Sequence, residues 1–299
     1  MSLGGLTVPL PTLFGADGGL DLGKNSRFAR SISEAGVDHL FVLGSLGEFP
    51  SVTDAERARL VEVLVESAAG ASDVWVGCGA PSTRQAVAYA EAAELAGAAA
   101  IVAVPPFYLH PPLPAIDRYY RAIHAAIRIP LLAYNIPSLV GYPLPPELVH
   151  RLARDGVVAG AKDTAGSLAS VEAMLAGAPP GFAVLPGDDA LASAAIAKGA
   201  QGAVMGTGNI VPKLCVELVA ASRQGERGRA GELQHLIDEL VEVIRSGPFP
   251  SVDKFLAARL WGADVGYRAP YDPLTPEEET RVLARLAPIE ERLKPFLGK

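Results

Sequence analysis

The chain has 299 residues, of which 49% are hydrophobic and only 20% charged, a balance that excludes a disordered protein and supports a large core. Its 26 basic and 33 acidic residues leave a formal net charge of −7 with no Lys/Arg run, so no electrostatic footprint for nucleic acid or an acidic membrane is present. Two cysteines, Cys78 and Cys215, build no disulfide framework, and the N-terminal residues lack a basic stretch followed by a long apolar one; the expectation is a soluble, cytoplasmic protein.

Short runs rich in Val, Ile, Leu and Ala recur about every 25 to 35 residues, with amphipathic stretches of helical length between them. The runs cover 6–13, 39–43, 74–79, 99–104, 130–134, 157–161, 183–185 and 202–204. Thr53 with Glu56 forms a capping box, Ser82 opens a helix over 83–96, and Pro145 or Pro146 sits in a first helical turn. Gly36, Gly70, Gly97 and Gly156 mark helix ends. Strands buried on both faces and joined by helical crossovers imply a parallel sheet, and eight such units favour closure into an α/β fold of the (β/α)8 barrel type. An open doubly wound sheet would usually carry a dinucleotide-type glycine fingerprint after an early strand, and this sequence has none. Residues 1–225 are assigned to the barrel. Residues 226–299 are read as a helical extension packed on it, with helices over 226–245, 251–260 and 275–293 and a connector bearing Pro270 and Pro273.

In such a barrel the reacting groups lie at the C-terminal ends of the strands. Lys162 closes the otherwise apolar run 157–161, where desolvation favours the neutral amine, a group able to attack a carbonyl and form a Schiff base. A strand-end lysine could instead snorkel to solvent or pair with Asp163, although adjacent strand residues point to opposite faces. Tyr134 ends the fifth run, where its phenol could move protons; an arbitrary tyrosine is more often a core residue bonded to backbone. Gly44-Ser45-Leu46-Gly47 is a small-residue loop whose N–H groups could hold a carboxylate, and Glu48 could act as an acid or brace the loop. The five histidines, His39, His110, His124, His150 and His235, show no ligand spacing, so no metal is expected.

These residues resemble the pyruvate-dependent class I aldolases that include dihydrodipicolinate synthase, N-acetylneuraminate lyase and the 2-keto-3-deoxygluconate aldolases. Gly44-Ser45-Leu46-Gly47-Glu48 is similar to the family's Gly-Thr-Thr-Gly-Glu loop, Tyr134-Asn135-Ile136-Pro137 to its Tyr-Asn-x-Pro, and Gly160-Ala161-Lys162-Asp163 to its Schiff-base strand. The resemblance spans nearly the whole chain with the motifs in family order. It implies Lys162 as the Schiff-base lysine, Tyr134 as general acid/base, Ser45 as a hydroxyl relay, and Tyr108 as the tyrosine that members lend across a dimer interface. It also implies a homotetramer built as a dimer of dimers, with no metal and no organic cofactor.

Two departures bear on the substrate. Leu46 replaces the loop's second threonine, leaving its N–H, with those of Gly44 and Ser45, to bind the pyruvate carboxylate. Leu139 stands where dihydrodipicolinate synthases carry an arginine for the aspartate semialdehyde carboxylate, a charge-assisted contact of about 1.5 to 3 kcal/mol. Residues 160–164, Val140-Gly141 and the tail 267–274 resemble the 2-keto-3-deoxygluconate aldolase branch instead. The expected reaction is therefore formation or cleavage of a 2-keto-3-deoxy sugar acid from pyruvate and an aldehyde. Thr164, Asp188 and Ser138 are expected hydroxyl partners and Val204 an apolar wall of the site; Asp188 and Asp189 could equally cap a helix. The alternatives are dihydrodipicolinate synthase activity and a non-catalytic barrel that binds a keto acid.

Overall fold

Each of the eight apolar runs overlaps a strand: β1 (Gly5–Pro9), β2 (His39–Val42), β3 (Asp73–Gly77), β4 (Ala100–Ala103), β5 (Leu131–Asn135), β6 (Gly160–Asp163), β7 (Ala183–Pro186) and β8 (Gly202–Val204). The structure, a computed structural model, describes residues 2–297. Every ladder is parallel, in the order β7-β6-β5-β4-β3-β2-β1-β8. Between β7 and β8 the gap is bridged by Gln201, whose backbone N–H donates to Val184 O at 3.2 Å and whose Oε1 accepts from Val184 N at 2.6 Å. The result is a (β/α)8 barrel.

The helices between strands are α1 (Leu22–Glu34), α2 (Asp54–Ala68), α3 (Thr83–Leu95), α4 (Leu113–Ala126), α5 (Pro137–Val140), α6 (Pro146–Arg154), α7 (Leu168–Ala176) and α8 (Ala192–Ala197). After β8 come α9 (Pro212–Gln224), α10 (Arg227–Ile244), α11 (Ser251–Trp261), α12 (Pro276–Leu286) and α13 (Glu290–Leu293). The Thr53–Glu56 capping box at α2 forms as the spacing predicts, whereas Ser82 makes no side-chain cap at α3. None of the described helices is long and apolar enough to cross a membrane.

Alternation along the strands divides the core in two. Phe41, Trp75, Val102, Leu132, Tyr134, Leu185 and Val204 fill the barrel interior, while their strand neighbours, such as Leu40, Val42, Ala133 and Val184, join the layer beneath the helices.

Strand six departs from its expected position at 157–161. Gly156 leaves α6 with φ +72°, a backbone shape that favours glycine, and Val157 N–H then returns to Leu152 O at 2.8 Å. This turn consumes Val157 and Val158, so the strand begins at Gly160 and Lys162 lies within it rather than after it. The expected helix over 275–293 is likewise two helices, broken around Pro288, which has no N–H for the ladder.

The C-terminal helices are tied to the strand-end face by polar contacts. Arg268 donates to Gly18 O at 2.6 Å and Ser51 O at 2.8 Å and pairs with Glu56, and Trp261 Nε1 donates to Asn209 O at 3.3 Å.

Candidate active site

In the β5–β6 ladder Tyr134 is the register partner of Lys162, and residues paired across neighbouring strands share a face, so both enter the barrel. Lys162 is 6% exposed, with Nζ 4.1 Å from the Tyr134 ring centre and 4.9 Å from that of Phe41. Among the described residues it has no ion pair and no side-chain hydrogen bond. Asp163 points the other way, where its Oδ1 accepts from Asn135 Nδ2 at 2.6 Å and burial raises its pKa. The alternative in which Asp163 pairs with Lys162 is thereby removed.

Two glycines make room for this arrangement. A Cβ on Gly187 would lie 2.6 Å from Lys162 Cε and 2.2 Å from Thr164 Oγ1, so any side chain there displaces the lysine or the threonine. A Cβ on Gly44 would meet Phe41 Cε1 at 2.7 Å and push that ring out of place.

The Lys162 amine faces a cavity of about 490 Å³ at the C-terminal ends of the strands. Of the residues singled out in the sequence, Ser45, Leu46, Tyr134, Ser138, Lys162, Thr164, Asp188 and Val204 line it together, as does Leu139, which is 59% exposed. Gly44 lies outside it, in a small adjoining cleft shared with Ser45 and Tyr134. Tyr108 is not brought to the site at all within one chain: it is 89% exposed on the loop after β4, with φ +72°.

Tyr134 differs from the neighbouring core tyrosines. Tyr119 and Tyr120 donate to Val104 O and Ala103 O at 3.1 and 3.0 Å, whereas the Tyr134 hydroxyl has no partner among the described residues. No hydrogen bond joins Tyr134 to Ser45, although both face the same space. The phenol is therefore free for a ligand.

Glu48 braces the loop. It adopts φ +51°, donates its N–H to Ser45 O at 3.1 Å, and meets Lys254 Nζ at 2.5 Å through Oε1, with both side chains 1% exposed. Burial pushes Glu48 up and Lys254 down, while each partner's charge opposes the shift in the other. Lys254 also donates to Gly266 O at 2.9 Å.

Several lining groups have no counterpart in the sequence reading: Thr207, Arg245, Phe249 and Asp253; Asp189, read from the sequence only as a possible helix cap, lines the cavity as well. Asp189 accepts from Gly206 N at 3.1 Å and from Thr207 N and Oγ1 at 2.8 and 2.5 Å; its burial raises its pKa. Asp188 both caps Ala190 N at 3.2 Å and lines the cavity, so its two expected roles coexist. Burial, reinforced by the charge of Asp189, pushes Asp253 up to about 7. No local signal marks Asp253, which lies in a stretch, Ser251 to Lys254, whose four residues are all buried in the structure.

A buried, unpaired amine beside a free phenol, at the mouth of a (β/α)8 barrel, defines a site for imine chemistry on a carbonyl. The chain belongs to the dihydrodipicolinate synthetase family, whose model matches residues 2–288. It is a carbon–carbon lyase of the pyruvate-dependent class I aldolase type. An uncharacterised DapA-like lyase of Halobacterium salinarum is 36% identical over 288 residues, 96% of this chain and 94% of that protein. The 4-hydroxy-tetrahydrodipicolinate synthase of Thiobacillus denitrificans is 33% identical over 273 residues, 91% and 92% of the two chains. Among solved structures, YagE from E. coli K12, a prophage protein of the same family in complex with pyruvate, superposes with a TM-score of 0.92 at 29% identity, covering 97% of this chain and 99% of that one.

Proposed function

We propose that this lyase makes and cleaves the bond between pyruvate and a hydroxylated aldehyde, acting on a 2-keto-3-deoxy sugar acid such as 2-keto-3-deoxygluconate. The observation that carries the reading is the cavity lining: Leu139 gives it no cation at that position, while Ser138, Thr164 and Asp188 offer hydrogen bonds suited to hydroxyls. Lys162 Nζ attacks the C2 keto carbon, and loss of water leaves an imine whose carboxylate is held by N–H groups of the Gly44–Leu46 loop. Tyr134 gives its proton to the departing carbinolamine hydroxyl, and the resulting phenolate then accepts the C4 hydroxyl proton as the C3–C4 bond breaks. The bond electrons pass into the imine to form an enamine and the aldehyde departs. Protonation at C3 and hydrolysis by water then release pyruvate and restore the amine.

In this reading Ser45 relays protons to Tyr134, and Tyr108 reaches the relay from a second copy within a homotetramer. Exposed Tyr108, Leu109 and Leu113 supply an apolar surface for that contact. Light scattering on the purified chain tests the assembly, with a monomer as the adverse result. Incubation with pyruvate and borohydride should add a reduced three-carbon group at Lys162; an unmodified Lys162 overturns the mechanism.

One observation favours a second reading. Arg245 faces the cavity, 4.0 Å from Asp188, and its guanidinium could serve the aspartate semialdehyde carboxylate in place of the missing arginine. Turnover of pyruvate with aspartate semialdehyde at higher kcat/KM than with glyceraldehyde would select dihydrodipicolinate synthase activity.

A further inference from the structure

One carboxyl group in the cavity has no task in the chemistry above. Asp253 sits in the first turn of α11, 4% exposed, and lines the cavity together with Asp188, Arg245 and Phe249. Its neighbours in the helix are engaged elsewhere: Ser251 Oγ donates to Asp272 O at 2.6 Å and Lys254 is held by Glu48 and Gly266. Asp253 is not. Among the described residues its Oδ2 has no hydrogen-bond partner and its carboxyl forms no ion pair. Arg245 pairs through one guanidinium nitrogen with Glu242 at 2.8 Å and lies 4.0 Å from Asp188 through the other, with no pair to Asp253, and Asp189 already accepts from three donors.

A buried carboxyl oxygen without a partner is unfavourable, and an apolar residue at this helix position would pack at lower cost. At the wall of a cavity, a ligand can supply the missing bond. Pyruvate leaves one side of the cavity for its co-substrate: its carboxylate goes to the loop after β2 and its keto carbon to Lys162 on β6. The acceptor then lies toward the ends of β7 and β8, where Asp188, Asp189 and Thr207 accompany Asp253.

We propose that Asp253 is a specificity-determining residue that hydrogen-bonds a hydroxyl of the acceptor aldehyde, on a carbon beyond the new carbon–carbon bond. This rests on the aldolase reading above. Three aspartates on this side of the cavity disfavour an acceptor carboxylate there. A hydroxyl can donate to the carboxylate or accept from the carboxylic acid, so it suits a group that burial and Asp189 place near its titration point at neutral pH.

The test compares kcat/KM for pyruvate with D-glyceraldehyde and with propanal, which has the same carbon chain and neither hydroxyl, in the full-length chain. Asp253→Val is expected to lower the glyceraldehyde-to-propanal ratio by about tenfold or more, and Asp253→Asn, which keeps hydrogen-bonding atoms, by clearly less. An unchanged ratio, or an equal fall with both aldehydes, overturns the assignment. So does a preference of the wild-type chain for propanal. Borohydride trapping of pyruvate on the wild-type chain separates the two levels: an adduct with an unchanged ratio removes only Asp253, whereas no adduct removes the aldolase reading and Asp253 with it.

Discussion

Two lysines are buried within this strand-end face, and their surroundings differ in kind. Lys254, from α11, is 1% exposed and closes an ion pair with Glu48 at 2.5 Å while donating to Gly266 O. Lys162, from β6, is 6% exposed, flanked by the rings of Tyr134 and Phe41, and open to the cavity. Burial alone does not distinguish a lysine tied into the structure from one left open to a cavity; the presence or absence of a carboxylate partner does. Lys254 spends its charge holding the Ser45 loop against the C-terminal helices. Lys162 leaves its nitrogen unpaired at the cavity.

The sharpest way to break this comparison is Lys162→Ala. Turnover should fall by a factor on the order of 10⁴ or more, and the borohydride adduct should vanish, because no other described amine lines the cavity. Tyr134→Phe keeps the ring against Lys162 and removes only the hydroxyl. Its kcat should drop by about 10² to 10⁴, with the pyruvate adduct still forming.

Stability should respond in the opposite sense. Lys254→Met leaves Glu48 buried without a partner and should cost about 3 to 5 kcal/mol in denaturant unfolding, with trapping of pyruvate preserved below the unfolding transition. Lys162→Met orphans no carboxylate and should leave unfolding unchanged or shifted to higher denaturant. Equal losses in the two methionine variants would erase the distinction.

The smallest effect concerns the tail. Hydrogen bonds from Arg268, with help from the backbone and hydroxyl of Thr53, hold Glu56 down to about 2. Because the folded state depresses this pKa, its stabilisation is present above the ordinary value of 4.5 and is lost as pH falls from 4.5 toward 2. Arg268→Ala should cost about 1 to 2 kcal/mol at neutral pH and flatten this part of the acid limb of a Tm-against-pH curve.

Much of the site was legible before folding was considered. Lys162 stands out as a charge in an apolar run, and Tyr134 as a phenol at the end of the preceding one, because a strand buried on both faces tolerates few polar side chains. Glu48 was readable as either an acid or a brace, and only its contact with Lys254 decides for the brace. Asp253 escaped notice because what raises it, the charge of Asp189 and burial at the cavity wall, comes from residues distant in the chain. Arg245 and Phe249 escaped for the same reason, since a helical extension gives no local sign of which end of the barrel it covers.

The sequence by itself determined the eight strands, their parallel arrangement and the order of the motifs, because hydrophobic period, caps and glycine stops act over a few neighbouring residues. The tertiary structure alone decided the β5–β6 register that sets Tyr134 beside Lys162, the start of β6 at Gly160, and the reach of α11 across the strand ends. Each of these depends on packing and ion pairing between segments far apart in the chain, where local propensity carries no information.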